Sequence, residues 1–327
     1  MAIMHKCFIP TMFFLLANFS IVKFENQNIN FISLLKDIPI TIVAPASGIN
    51  KNELTTLKTI ISLQLNIPNG CFDQSRSVFH SNSDELRFKY LKDALFDKTN
   101  HVVWTLRGGY GAAKLIPALQ KLTIPTQEKF FIGYSDITAL HIFFTQTWDW
   151  KTIHGSGIVE ILKSDKKRAN FTKIAEIICG KVKHATVDQL FPINAAAQSI
   201  DTVDGKLTGG NITVLQTGIG TTWEVKTEGK ILFLEDTQIK AYQLDRTLLH
   251  FKQAGLLKNV KAILFGHCGS DNKDIITTLN QFASVLPIPV FKTNRFGHGS
   301  TNDPIIYNTI SQIVLVHDGS FKLIMKV

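Results

Sequence analysis

A serine at the junction of a strand and a helix can be a nucleophile, and the segment Phe131-Ile132-Gly133-Tyr134-Ser135-Asp136-Ile137-Thr138-Ala139-Leu140 has that form. A sharp turn there exposes the hydroxyl, while the N–H of Asp136, at the start of the helix, points toward a developing oxyanion. A serine in this position also serves as a plain helix cap. Upstream, Arg107-Gly108-Gly109-Tyr110-Gly111 follows an apolar run. Its glycines let the backbone turn tightly and approach a ligand. Such a loop supplies an oxyanion donor, cradles a phosphate, or simply turns. The dinucleotide fingerprint requires a glycine where Lys114 stands, and the phosphate-loop pattern is absent, although Asp136 could imitate the ribose-binding acid.

A serine hydroxyl needs a base, sought here among ten histidines. His298, between Gly297 and Gly299 just beyond the run Ile288 to Phe291, is the leading candidate. His154 in Ile153-His154-Gly155 and His267 in Gly266-His267-Cys268 have similar surroundings, and spacing alone does not choose among them. An acid must orient the base, and Leu232-Phe233-Leu234-Glu235-Asp236 ends an apolar strand with two. Either serves on chemistry alone, with local capping the expected role of Asp236. No HExxH or Cys/His cluster supports a metal mechanism, and no cofactor is expected.

The elements that must position these groups alternate between short apolar runs and amphipathic stretches, the pattern of an α/β protein with a mostly parallel sheet flanked by helices. Strands are expected at Ile40 to Val43, Val102 to Leu106, Lys129 to Tyr134, Lys230 to Leu234 and Ala262 to Phe265. Helices are expected after Asn50 (with Leu54, Leu57 and Ile61 on one face), over Asp84 to Phe96 and Ala112 to Gln120, around Tyr242 to Ala254, and near Ile275 to Leu286. Asp318-Gly319 between two apolar runs predicts a closing hairpin. Weak periodicity over 166–199 suggests a linker between an N-terminal domain, 38–165, and a C-terminal α/β domain, 200–327.

With 327 residues, 45% hydrophobic and 19% charged, the chain has material for two cores and is not disordered. The net charge of +9 invites an anionic partner, but the basic cluster Lys163 to Arg168 contains Asp165 and no interleaved aromatics, which argues against nucleic acid. Cys7, Cys71, Cys179 and Cys268 lack metal or redox spacing and are expected to be buried thiols. His5 and Lys6 precede an uncharged run from Cys7 to Val22, so residues 1–37 read as a signal or membrane-targeting leader. The expectation is a periplasmic protein or one tethered to the inner membrane by that leader, its one membrane contact. The alternative is a cytoplasmic protein whose true start lies downstream, near Ile38.

Together these segments resemble the murein tetrapeptide LD-carboxypeptidase family of serine peptidases, which also includes the microcin C immunity peptidases. The resemblance rests on Val43-Ala44-Pro45-Ala46-Ser47-Gly48, Arg107 to Gly111, Gly133 to Leu140, His154-Gly155, Gly209-Gly210-Asn211, Leu234-Glu235-Asp236, Asp245-Arg246 and Gly297-His298. It implies a triad of Ser135, Glu235 and His298, with Ser135 on the N-terminal domain, the other two on the C-terminal domain and the site between them. It further implies oxyanion donors at Gly109 and Asp136, a homodimer, and removal of the terminal D-alanine from muropeptide tetrapeptides. Ser156 replaces the proline usual after His-Gly, and Gln238 to Lys240 replaces a more acidic or glycine-rich segment. These departures bear on substrate preference, and two alternatives stand beside the main reading: a peptidase for a peptide-nucleotide conjugate of the microcin C type, and a non-catalytic binding protein on the same frame.

Overall fold

The computed structural model describes residues 31–60, 63, 65–68, 79–163, 165–269 and 272–327, without the side chains of residues 60 and 165–168. The leader before Phe31, Cys7, Cys71, Ile61 and most side chains of the basic cluster lie outside the described residues. In the N-terminal half, β1 (Ile40–Val43), β2 (Leu65–Asn66), β3 (Val102–Thr105), β4 (Phe130–Gly133) and β5 (Thr152–His154) are all parallel. The helices are α1 (Lys51–Ile60), α2 (Asp84–Phe96), α3 (Thr138–Thr147) and α4 (Asp165–Ile178). β1 and β3 are buried at every position, because apolar side chains on both faces of a parallel sheet must be covered by helices. At the start of α1 the Asn50 and Glu53 side chains each accept the other's backbone N–H, and Ser83 accepts from the Leu86 N–H at the start of α2.

With β11 (Ile305–Ile306) at one edge, the strand order is β11-β5-β4-β3-β1-β2, so the chain leaves β1 toward one edge and β3 toward the other. Loops after such neighbours diverge and leave a crevice at the carboxyl ends of the strands. The loop from Ala44 to Gly48 and the glycine loop from Arg107 to Gly111 meet there, with the Ser47 N–H donating to the Gly108 carbonyl at 3.3 Å.

The C-terminal half is a closed seven-stranded barrel, ordered β10-β6-β13-β12-β7-β8-β9. Its strands are β6 (His184–Pro192), β7 (Thr202–Asn211), β8 (Lys230–Glu235), β9 (Ala262–His267), β10 (Val290–Gly297), β12 (Ile310–Leu315) and β13 (Phe321–Lys326). Helices α5 (Ile212–Gly218), α6 (Ala241–Gln253) and α7 (Lys273–Ser284) connect the parallel strands β7 to β10. The expected hairpin joins β12 and β13 around Asp318 and Gly319, the latter at φ 80°.

Several boundaries differ from those read in the sequence. Residues 166–199 are no linker: α4 covers the first sheet and β6 is a barrel strand between β10 and β13. Phe31 and Leu35, within the segment assigned to the leader, are core residues, and Phe31 packs on Trp104 and Phe171 at ring separations of 6.4 and 5.4 Å. The stretch Ala112 to Gln120 splits into a 3-10 turn, Ala112–Leu115, and a short helix, Ile116–Leu119, opened by Pro117. The chain also crosses back once: β11 (Ile305–Ile306) adds to β5 as the antiparallel edge of the first sheet. The domains are therefore joined by shared backbone pairing as well as by side-chain contact.

Candidate active site

Ser135 sits directly after β4 with φ 63°, a left-handed conformation that a side-chain-bearing residue keeps only when its surroundings enforce it. The enforcement is steric. A Cβ on Gly133 would lie 2.4 Å from Thr105 Oγ1, and one on Gly108 only 2.7 Å from the Ser135 Cβ. Glycine at both positions lets the two loops close on the serine. Gly109, at φ 118°, faces Ser47 on its other side. Among the described residues, neither the Gly109 nor the Asp136 N–H donates to a protein acceptor.

Asp136 contributes through its side chain as well. Its buried carboxylate accepts the Ala112 N–H at 2.8 Å and so pins the glycine loop to the turn. Burial pushes its pKa up to about 6, against the pull of the Ala112 N–H, Arg87 and the Gly111 N–H. Arg87, fully inside, donates to the carbonyls of Pro45 and Gly111 and pairs with Asp84 at 2.5 Å. Both loops beside Ser135 thus hang on one guanidinium, a residue that gave no signal in the sequence.

Of the three candidate histidines, the structure gives His298 the acid. Its Nδ1 lies 2.6 Å from Glu235 Oε2, and its ring is 4.8 Å from that of Tyr134, the residue preceding Ser135. Burial alone would raise the carboxyl of Glu235. The adjacent His298, by charge and hydrogen bond, then His154 and Asn211, outweigh burial and hold it below the ordinary glutamate value. Gly297, at φ 96°, passes so close that a Cβ would lie 2.9 Å from the Glu235 Cβ. His154 is enclosed by the rings of Tyr134, Phe233 and Phe296, and burial drops its pKa to about 4. It is a core residue. His267 packs beneath Gly299 and accepts from the Gly269 N–H at 3.4 Å.

Glu235 and Asp236 diverge, as neighbours on a strand must. Asp236 turns away from the imidazole and accepts the Thr213 N–H at 3.0 Å, its hydroxyl at 2.7 Å and the Thr237 N–H at 2.7 Å, tying β8 to the first turn of α5. Asn211 donates to both acids at 3.3 Å. Its approach depends on Gly209 and Gly210, where a Cβ would strike the Phe233 carbonyl and Thr138 Oγ1 respectively. The Asn211 N–H then bonds Thr138 Oγ1 at 3.0 Å, joining β7, the strand beside the acid's, to the serine's helix.

A second group unnoticed in the sequence holds the His298 loop. Asn302, fully buried, accepts the Gly297 N–H at 2.8 Å and reaches Ser156 Oγ at 3.5 Å. Asp303, also buried, pairs with Arg295 at 2.9 Å and with Lys173 of α4 at 2.7 Å. One jaw of this clasp is therefore on each domain. Asp303→Ala should cost about 1 to 3 kcal/mol, since it removes the buried carboxylate that Arg295 and Lys173 share, while both partly exposed cations can rehydrate. A larger drop in kcat than in melting temperature would accompany it if the loop loosens, and unchanged values of both would show the clasp to be idle. Among the described residues no cluster of His, Cys, Asp or Glu could hold a metal ion.

Residues 40–155 match the model of the LD-carboxypeptidase N-terminal domain and residues 204–313 that of the C-terminal domain. A Rickettsia conorii protein, provisionally named a carboxypeptidase, is 57% identical over 90% of this chain and 92% of its own length. The murein tetrapeptide carboxypeptidase of Pseudomonas aeruginosa is 25% identical over 80% of this chain and 89% of its own. Among solved structures, the muramoyltetrapeptide carboxypeptidase from Oxalobacter formigenes has the same fold at a TM-score of 0.72 and 23% identity, covering 88% of this chain and 99% of that one. The microcin C7 self-immunity protein superposes at 0.75 with 16% identity, covering 89% and 97%. With both domain models matched in order across a fold of this shape, the chain belongs to the LD-carboxypeptidase family of peptidases.

Proposed function

We propose that the chain is a serine carboxypeptidase that removes the terminal D-alanine from peptidoglycan-derived tetrapeptides through an acyl-enzyme. The observation that carries the reading is the 2.6 Å pair of Glu235 and His298 brought against the left-handed serine turn from another domain. With Nδ1 engaged by Glu235, Nε2 takes the proton of Ser135 Oγ as that oxygen attacks the scissile carbonyl carbon. The carbonyl oxygen becomes an oxyanion facing the N–H groups of Gly109 and Asp136. On collapse, the imidazolium gives its proton to the departing D-alanine nitrogen, leaving an ester on Ser135. Water, deprotonated by His298, then attacks the ester, and the serine recovers its proton. The steps consume one water and need no redox partner.

The P. aeruginosa and O. formigenes relatives, named for murein or muramoyl tetrapeptides, support this substrate class. Likeness to the microcin C7 self-immunity protein keeps a peptide-nucleotide conjugate as the second substrate to assay. The homodimer, the role in cell-wall recycling and an extracytoplasmic site of action are parts of the same proposal. No helix of the described residues is long and apolar enough to cross a membrane, so any tether is assigned to the leader. Incubation with disaccharide tetrapeptide should yield tripeptide and D-alanine in equal amounts, at a rate unaffected by EDTA. Loss of activity to EDTA with recovery on adding zinc would overturn the serine mechanism.

A further inference from the structure

Arginine is seldom left alone in a partly buried place, and three of the described arginines here are engaged. Arg87 pairs with Asp84, Arg295 with Asp303, and Arg246 lies over the Tyr242 ring. Arg107 differs. It is half-buried and makes no ion pair or hydrogen bond among the described residues. It is also the residue that leads into Gly108, which abuts Ser135, and its backbone is fixed from behind by Gly157, where a Cβ would lie 2.9 Å from the Arg107 Cα.

The charge of Arg107 bears on the hydroxyl of Tyr134, beneath the His298 ring. Two carboxylates bear on that same hydroxyl: Glu160, which also hydrogen-bonds it, and Glu235. Glu160 is paired with Lys163 at 2.5 Å and Glu235 with His298 at 2.6 Å. The guanidinium of Arg107 is thus within electrostatic reach of Tyr134, the residue before the nucleophile, and carries no ion pair or hydrogen bond among the described residues. Its planar fork matches a carboxylate in two parallel hydrogen bonds, which a lysine cannot reproduce. In a peptide losing its last residue, the terminal carboxylate lies one residue from the scissile carbonyl, at most about 3.6 Å of chain. A cation one residue from the oxyanion loop is within reach of that group.

We infer that Arg107 is the anchor for the free α-carboxylate of the substrate's terminal residue, the contact that restricts the enzyme to chain ends. The inference rests on the carboxypeptidase reading above. It separates exopeptidase from endopeptidase behaviour by a single charge pair. It also bears on substrate class, because a substrate whose C-terminal side is amidated or extended leaves the guanidinium facing no carboxylate.

The test compares the tetrapeptide ending in D-alanine with the same peptide ending in D-alaninamide, using the full-length protein, Arg107→Gln and Arg107→Lys. The wild type should prefer the acid by about 10² to 10³ in kcat/KM, the range for removing one partner of a desolvated charge pair. In Arg107→Gln the preference should collapse to within about threefold, and Arg107→Lys should retain an intermediate value. Melting temperatures report whether each variant is folded, and the wild-type preference stands as a test even if one is not. A preference that survives in Arg107→Gln, whatever happens to the absolute rates, overturns the anchor. So does a wild type that cuts both peptides equally, while leaving the carboxypeptidase reading intact. If the wild type cuts neither peptide and Ser135→Ala binds neither in calorimetry, the reading of the reaction is overturned and the anchor falls with it.

Discussion

Ser135→Ala should abolish D-alanine release, with kcat lower by about 10⁴ to 10⁶, while the protein stays folded. The size of the loss follows from the proposed mechanism, in which no acyl-enzyme forms without Oγ and the oxyanion donors and binding contacts that remain accelerate the reaction by only about 10³ to 10⁴ over water. Folding should survive because Ser135 is only partly buried and its side chain carries no hydrogen bond on which either loop depends. Alanine suffers the same left-handed strain that serine already bears at φ 63°, so the substitution adds little to it. Single-turnover measurement of the variant beside its thermal unfolding separates the two effects. Activity within tenfold of the wild type would remove Ser135 from the role of nucleophile, and loss of the cooperative unfolding transition would make the rate uninterpretable as chemistry.

Glu235→Gln should lower kcat by about 10⁴ and leave KM within a few-fold of the wild type. The amide keeps the size of the carboxylate but not its charge, and it can present an N–H to Nδ1 where the imidazole needs an acceptor. The wrong tautomer then faces Ser135, and the imidazolium that forms during attack loses the ion that now holds it at 2.6 Å. Asp236→Asn, one residue away, should behave differently. Its partners are the Thr213 and Thr237 backbone groups and the Thr213 hydroxyl, so the expected effect is a loss of stability of about 1 kcal/mol with turnover largely retained. The pair should be measured in parallel by kcat and melting temperature. If Asp236→Asn lost turnover at an unchanged melting temperature while Glu235→Gln stayed active, the acid would have been assigned to the wrong residue.

Much of the frame was legible in the residues themselves. Helix α2 begins and ends where its cap and its loss of periodicity place it, at Asp84 and Phe96, the strands β1, β3 and β4 fall within the apolar runs that announce them, and β8 and β9 start where expected but run on to Glu235 and His267. Local signals suffice there because a cap, a two-residue alternation or an Asp-Gly turn acts through neighbours in the chain. The serine turn was visible for the same reason: Gly133, Tyr134, Ser135 and Asp136 make their own backbone geometry. Glu235 was visible as an acid at a strand's end, and so was Asp236, with nothing in composition to rank them beyond the alternation that sends one inward and one toward α5.

What only the tertiary structure decided are the groups that meet across long stretches of sequence. Three histidines stood in similar loops, and the choice fell to His298 because the end of β10 swings Gly297 against Glu235, 62 residues earlier by number, while aromatic rings enclose His154. Residues 184–192 carry too little periodicity to announce a strand, yet they close the barrel because β10 and β13 each offer an unpaired edge that β6 satisfies. Phe31 and Leu35 looked like part of an apolar leader, and what fixes them is the surface of Trp104 and Phe171, distant in the chain. Asn302, Asp303 and Arg87 read as ordinary polar residues until their burial is known. Burial obliges each to find partners, and those partners, Ser156 and Lys173 for the first two and the carbonyls of Pro45 and Gly111 for the third, belong to other elements of the fold.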